Sequence, residues 1–264
     1  MASALVGFSG YVGSTLLKQA RFEKLYRSTT IAEIDGQTFD TLVCAGAPAQ
    51  KWIANRDPQA DREKIDGLIA HLKTVTCKTF ILISTVDVFK SAVGVDEDTV
   101  VDENDLHAYG LNRRRLEAFV ERHFDDYLIV RLPGLVGSGL RKNVIFDLLN
   151  DNNLDAVDSR GVFQFYPMVN LWHDIQTAQA AGLKLVHLTA EPVSVARVAG
   201  DGFGLAFDNV LDRPAAVYDM QTRHAAVFGG STRHTYSARE TLLAVRAYAQ
   251  SEPPTLKTET GASA

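Results

Sequence analysis

Cysteine is scarce in this chain: only Cys44 and Cys77 occur among 264 residues. Both lie in or beside apolar runs, and neither has the spacing of a metal-ligand set. That disfavours a disulfide-stapled secreted fold and favours a reduced protein with two core thiols. Long hydrophobic runs are missing too, because polar turns interrupt even the apolar segments, and nothing approaches the roughly 20 residues of a membrane span. Basic charge is in deficit, with 27 Lys and Arg against 32 Asp and Glu and a formal net charge of -5. A broad nucleic-acid surface is therefore disfavoured, although a local basic pocket for a phosphorylated ligand stays compatible with that balance. The first residues carry no basic prefix, long apolar core or cleavage-like site, so no secretory signal is read there and the cytoplasm is the expected location. No internal repeat is visible. His173 and Asp174 are neighbours without further ligands placed by spacing, and His224 and His234 stand alone, so no metal site is expected.

What is present is the composition of a globular protein, 46% hydrophobic, 22% charged and 9% aromatic, at a length that suits one large α/β domain or a dinucleotide-binding domain with a smaller lobe. Short apolar strands are expected at residues 4–6, 41–45, 80–83 and 127–132, with a further short strand within 24–31. Helical spacing of apolar residues places helices at 11–22, 61–73 and 109–123. This alternation is the pattern of βαβ units, and it predicts an α/β fold with a Rossmann-type, doubly wound parallel sheet. Beyond residue 137 the pattern changes to helices at 142–149 and 171–181, a strand at 185–188, a helix opening near Glu191 and Pro192, and a last helix at 237–249 capped by Ser237 with Glu240. The expected division is a dinucleotide-binding core at 1–140, a small C-terminal substrate lobe at 141–250 interleaved with the end of the core sheet, and a disordered tail at 251–264 rich in Pro, Thr, Ser and Gly.

The sharpest local signal is Gly7, Gly10 and Gly13 between a strand and a helix. A dinucleotide loop needs glycine where the backbone turns, where it approaches the pyrophosphate and where helix meets sheet, and the helix N-terminus then offers N–H groups to phosphate. Ser9, Tyr11 and Val12 complete the expected loop. For the adenosine end, Arg27 and Ser28 suit a 2′-phosphate, whereas Glu33 sits at the distance of an acid that binds ribose hydroxyls. The balance tips to NADP over NAD.

Several blocks carry a resemblance to a known family: the glycine loop; Ala45-Gly46-Ala47; Ile83-Ser84-Thr85-Val86-Asp87-Val88-Phe89; Tyr109-Gly110-Leu111-Asn112-Arg113 with Leu116 and Glu117; and Arg131-Leu132-Pro133 with Val136-Gly137. Over roughly its first 140 residues the chain resembles the extended short-chain dehydrogenase/reductase family, in particular its nucleotide-sugar epimerases, dehydratases and keto-sugar reductases. The resemblance implies a catalytic group of Thr or Ser, Tyr and Lys, with Thr85, Tyr109 and position 113 in those places, and cofactor contacts from Ala45, Gly46, Ala47, Tyr109, Arg113 and Pro133. Position 113 departs from the pattern, being Arg.

The residues also speak for themselves. Tyr109 and Arg113 are four apart on one helix and share a face, and a nearby cation favours the phenolate. Arg113 keeps the charge but has a bulkier planar head and cannot lose a proton, which leaves both an active and a weakened site open. The acid of the dehydratases falls at Val86, so a carboxylate pair is lacking and dehydration is disfavoured. In the second lobe Asn143, Gln164 and Tyr166 are candidate substrate contacts. The expected function is an NAD(P)-dependent oxidoreductase or epimerase acting on a carbonyl or secondary alcohol, with a nucleotide sugar as substrate and Tyr109 as proton donor and acceptor. The alternative is a noncatalytic dinucleotide-binding regulatory or scaffold protein. A small molecule is the expected partner, with no nucleic acid and no membrane; a homodimer is compatible.

Overall fold

A computed structural model describes residues 2–255. In chain order the elements are β1 (Ala2–Val6), α1 (Tyr11–Gln19), β2 (Lys24–Tyr26), β3 (Thr38–Cys44), α2 (Lys51–Arg56), α3 (Pro58–Leu72), β4 (Thr76–Thr85), β5 (Val93–Val95), α4 (Ala108–His123) and β6 (Tyr127–Leu132). They continue with β7 (Gly134–Val136), α5 (Val144–Asn150), β8 (Val162–Phe163), β9 (Phe165–Pro167), α6 (Leu171–Ala180), β10 (Leu185–His187), β11 (Val193–Ser194), α7 (Val195–Arg197), β12 (Asp219–Met220) and α8 (Ala238–Ser251).

The chain divides into two compact units. Among the described residues the first comprises 2–92, 96–132 and 170–188, and the second 93–95, 133–169 and 189–255. This differs from a cut at residue 140. The first unit gives up the chain after Leu132 and takes it back at Asn170, because β10 pairs with β6 and completes the sheet.

In the first unit six parallel strands run in the order β10-β6-β4-β3-β1-β2. The middle strands read as continuous apolar stretches, Leu42-Val43-Cys44 and Phe80-Ile81-Leu82-Ile83, because both faces of a parallel sheet are covered. A core of Leu42, Phe80 and Leu82 from the sheet meets Ile65, Leu68 and Leu72 of α3 and Leu116, Phe119 and Val120 of α4. Each such side chain taken fully from water contributes about 1.5–3 kcal/mol before entropy is counted. Leaving β1, the chain goes first to β2 on one side and then, through residues 27–37, to β3 on the other. That reversal is a topological switch point, and in open α/β sheets it puts a crevice beyond the carboxyl ends of the two strands involved. Gly7 follows β1 and Ala45 follows β3 at that place.

Local differences from the sequence reading have physical causes. α1 ends at Gln19 instead of 22 because Ala20 turns to an extended conformation (φ -142°, ψ 158°). β4 spans Thr76–Thr85, well beyond 80–83, since its first residues alternate between exposed and half-buried and so lack an apolar run. α2 carries no side-chain cap and gave no signal. Cys44 is buried as expected, whereas Cys77 is only partly covered, and both thiols are free.

The second unit is built from two-stranded pairs, β8 with β11, β5 with β12 and β7 with β9, together with α5, α7 and α8. The expected helix near Glu191 begins only at Val195, where the Ser194 side chain caps it by accepting from Arg197 N–H. α8 has the predicted capping box between Ser237 and Glu240. The tail predicted from residue 251 is in part ordered: Ser251 closes α8, and Thr255 N–H donates to Asn150 Oδ1 at 2.7 Å. Its remainder, 256–264, lies outside the described residues. Among the described residues no helix is long and apolar enough to cross a membrane.

Candidate functional site

The glycine turn is shaped by three close approaches. Gly7 has φ +85°, and its N–H donates to Tyr26 O at 2.8 Å, tying the end of β1 to the end of β2. A Cβ on Gly7 would stand 2.3 Å from Ala45 O, and one on Gly13 would stand 2.1 Å from Gly7 O. Gly46 is similarly confined, with Val6 Cγ1 2.8 Å from where its Cβ would be. Gly10 is different, because a Cβ there would meet only Gly7 O, at an ordinary 3.4 Å. The protein's own packing thus requires glycine at 7 and 13, while Gly10 and its exposed neighbour Ser9 leave the turn open to solvent. Gly10 is also the N-cap of α1, without a capping side chain and without an acidic residue in the first turn. Leading N–H groups of a helix have no intrahelical acceptor, and here no acidic residue of the first turn repels an anion from them. Tyr11 and Val12 are half-buried beside this opening, and the backbone of Ala45 and Gly46 stands against Gly7.

Arg27 and Ser28 follow β2 directly and are exposed, in a turn closed by Thr30 N–H donating to Arg27 O at 2.9 Å. Glu33, also exposed, sits one short 3₁₀ turn further on.

Thr85 ends β4 in register with Leu132 of β6, immediately before Pro133. Its hydroxyl accepts from Asp87 N–H at 3.2 Å. Tyr109, in the first turn of α4, is 8% exposed. Its N–H donates to Asn55 Oδ1 on α2 at 3.0 Å. The start of α4 presses on the Asp87 turn so closely that a Cβ on Gly110 would lie 2.1 Å from Asp87 O. His107 caps α4 with Nδ1 accepting from Gly110 N–H at 3.0 Å, which assigns the ring proton of the neutral form to Nε2. Burial, then the charge of Lys51, push its pKa below the usual histidine value, against the pull of Asp87. Lys51 Nζ lies 2.7 Å from Asp87 Oδ1. For Tyr109, burial raises the pKa most; Arg113 opposes it, Asp87 adds to it, and the Thr85 hydrogen bond and Lys51 oppose it.

Arg113 occupies an interior position. Both guanidinium NH groups bond the carboxylate of Asp61, NH1 also donates to Tyr109 O at 3.2 Å, and NH2 donates to Pro48 O. Asn112 Nδ2 donates to the same carboxylate at 2.7 Å. Arg113 and Asp61 side chains are 3% and 4% exposed, and the guanidinium carbon stands 4.0 Å from the Tyr109 ring centroid. The cation therefore meets the phenol through the ring face, and both of its terminal NH groups are committed within the protein, while Nε is buried without a hydrogen-bond partner.

Sequence reasoning missed Asp61, Lys51, Asn55 and His107. Only Asp61 left a signal: it is an acid on the buried face of α3, one turn ahead of Ile65. In the second unit the three residues expected as substrate contacts each have partners within the protein. Gln164 is 1% exposed; its Nε2 donates to Thr189 Oγ1, Ala190 O and Met220 O, and its Oε1 accepts from Met220 N–H. Tyr166 is wholly buried and packs edge-on against Tyr236. Asn143, at φ +90°, caps α5 through Oδ1 and donates to Leu135 O at 2.9 Å.

A parallel sheet whose strand order reverses at β1, with a glycine turn at the reversal, defines a Rossmann-type α/β protein. No protein-family model and no curated protein matches the chain. Solved structures share its fold. The structure of RMD from Pseudomonas aeruginosa complexed with NADPH superposes with a TM-score of 0.70 at 16% identity, covering 95% of this chain and 99% of its own. A dTDP-glucose 4,6-dehydratase from Streptomyces venezuelae, a double mutant with NAD bound, gives a TM-score of 0.72 at 15% identity over 96% of this chain and 98% of its own. A dTDP-4-dehydrorhamnose reductase from Clostridium acetobutylicum gives 0.68 at 17% identity, covering 95% and 99%. The chain has the fold of these solved enzymes.

Proposed function

We propose that the protein is an NAD(P)-dependent oxidoreductase or epimerase acting on a carbonyl or secondary alcohol of a nucleotide-linked sugar. The observation that carries this reading is the coincidence, in one α/β unit, of an open glycine turn after β1 and of Thr85 at the end of β4, bonded to the Asp87 turn against which the start of α4, with Tyr109, packs. The residues fit a dinucleotide: Gly10 lacks a packing reason to be glycine, and α1 behind it has no acidic residue in its first turn. In this reading Gly7, Ser9, Gly10, Tyr11, Val12 and Gly13 hold the pyrophosphate, and Ala45, Gly46 and Ala47 border the cofactor. Arg27 and Ser28, placed directly after β2, support NADP, because a guanidinium matches a 2′-phosphate.

A bound nicotinamide supplies or takes up hydride at the substrate carbon. Tyr109 Oη holds the proton exchanged with the substrate oxygen, and the Thr85 hydroxyl orients both oxygens. Arg113, stacked on the ring, favours the phenolate without itself being titrated. Burial of Tyr109 keeps water from the exchange.

Fluorescence titration with NADPH and NADH tests the cofactor, and hydride transfer across keto-sugar nucleotides tests the chemistry. Micromolar binding with turnover that Tyr109→Phe abolishes supports the reading; absence of binding to either dinucleotide sinks it. A noncatalytic dinucleotide-binding role is the second reading, favoured by the burial of Arg113 against Asp61. It predicts equally tight binding with no turnover in either the native chain or Arg113→Lys.

A further inference from the structure

The end of α2, the start of α3 and the first turns of α4 border a cleft of about 370 Å3 that shares no residue with the glycine turn. Pro58, Ala108 and Leu111 give it apolar walls, and Arg56 and Arg62 line it beside them. Arg56 makes no ion pair among the described residues; its guanidinium carbon stands 4.9 Å from the ring centroid of Trp52, a side chain 63% exposed. Arg62 approaches only Asp66, at 3.6 Å and in solvent, where such a pair contributes little. The acid of the lining, Asp57, uses Oδ1 to cap α3, accepting from Ala60 N–H at 3.1 Å. Asn112 also lines the cleft and is 5% exposed. Its Nδ2 donates to Asp61, and since a carboxylate only accepts, this contact fixes which way the amide points. Asn112 Oδ1 is left without a hydrogen-bond partner among the described residues, yet it is not sealed from solvent, so this acceptor is presented to the cleft.

We propose that this cleft is a second ligand site, built for a small organic oxyanion that carries a hydrogen-bond donor. The charge of a phosphate monoester or carboxylate meets Arg56 and Arg62, because a guanidinium fork matches either group. The apolar body lies against Pro58, Ala108 and Leu111, and a hydroxyl or N–H of the ligand donates to Asn112 Oδ1. Each part of the lining rejects a different competitor. An inorganic anion leaves the walls and the acceptor unmatched, a neutral apolar molecule covers the two guanidiniums without pairing them, and a cation is repelled. The volume suits a small molecule, for which pockets start at about 300 Å3. Asn112 and Arg113 share the Asp61 carboxylate, and Arg113 stacks on Tyr109, so an occupant bonded to Asn112 touches the buried set that holds the phenol.

The test is calorimetric titration of the full chain with 4-hydroxyphenyl phosphate and 4-hydroxyphenylacetate, each beside its analogue without the hydroxyl, phenyl phosphate and phenylacetate. At least one hydroxylated probe should bind, and the tighter of the two names the anionic group. Loss of the hydroxyl should weaken binding about threefold or more, the scale of one neutral hydrogen bond. Arg56→Gln and Arg62→Gln should each weaken it about tenfold or more, the scale of a hydrogen bond to a charged group. Urea unfolding should be unchanged in both variants, since both side chains are exposed. In nitrogen-edited NMR spectra the Asn112 side-chain amide should shift as the probe is added. No binding of either hydroxylated probe at millimolar concentration overturns the proposal. So does an affinity that neither arginine variant changes, which places the anion elsewhere, or one indifferent to the hydroxyl, which leaves an adventitious anion only. No dinucleotide takes part, so a chain that binds NADPH but none of these probes loses this site and keeps the dinucleotide reading.

Discussion

Asp61 and Arg113, 52 residues apart in sequence, form a two-pronged ion pair with side chains 4% and 3% exposed, and this pair decides what position 113 does. Removing one partner of a buried pair strands the other charge, at a cost of about 3–5 kcal/mol. Asp61→Asn should therefore lose a large part of the fold's stability in urea unfolding. Arg113→Lys should lose about 1–3 kcal/mol, since an ammonium cannot reproduce the fork. Equal stability of Arg113→Lys and the native chain would show that the pair is not what fixes Arg113.

Glycines at 10 and 13 should separate binding from folding. Gly13→Ala drives a Cβ to 2.1 Å from Gly7 O and should destabilise the first unit strongly, whereas at Gly10 the nearest atom is 3.4 Å away. Gly10→Ala should cost about 1 kcal/mol or less, as a weaker N-cap. Its NADPH affinity should nevertheless fall about tenfold or more, equivalent to ~1.4 kcal/mol. Undiminished affinity in Gly10→Ala would remove the pyrophosphate from this turn.

His107 links stability to acid. Its pKa is depressed in the folded chain, so the unfolded chain binds the proton more readily. The contribution is fully present above the unfolded value of about 6.5 and is lost as pH falls from there through the folded pKa. His107→Asn keeps a capping oxygen for α4 but should flatten the loss of urea stability below about pH 6.5. An unchanged slope in that variant would place the titration elsewhere.

Burial pushes the Cys44 thiol up to about 11, so its thiolate is rare at neutral pH. Its reaction with a thiol-specific disulfide reagent at pH 8 should be slow in the native chain and fast in urea. Stability should also fall as pH rises from the ordinary thiol value of 9.0 through about 11, because the unfolded chain gives up that proton first. Rapid labelling of Cys44 without denaturant would mean that β3 opens locally.

Legibility followed how local each cause was. The strand at Tyr127–Leu132 was readable to the residue because its run is apolar and bounded by polar residues and proline. The glycine turn was readable because spacing, preceding strand and following helix all lie within residues 4–13. Tyr109 and Thr85 came through resemblance and helix spacing. Arg113 was visible as a departure, but its meaning lay in Asp61, and no pattern along the chain links residues so far apart. Gln164 and Tyr166 looked like ligand contacts because polar and aromatic groups mark both binding sites and well-satisfied interiors. Lys51 was hidden because a six-residue helix without a cap carries no periodic signature.

The outermost strands of the six-stranded sheet, β2 and β10, are three residues each, while the central β4 has ten. Unpaired backbone at a sheet margin is a template for another chain's strand, and a margin this short offers little length to pair with. The long strands that could propagate such pairing are enclosed on both flanks. Shortness at the rim thus guards a β-rich interior against edge-to-edge aggregation.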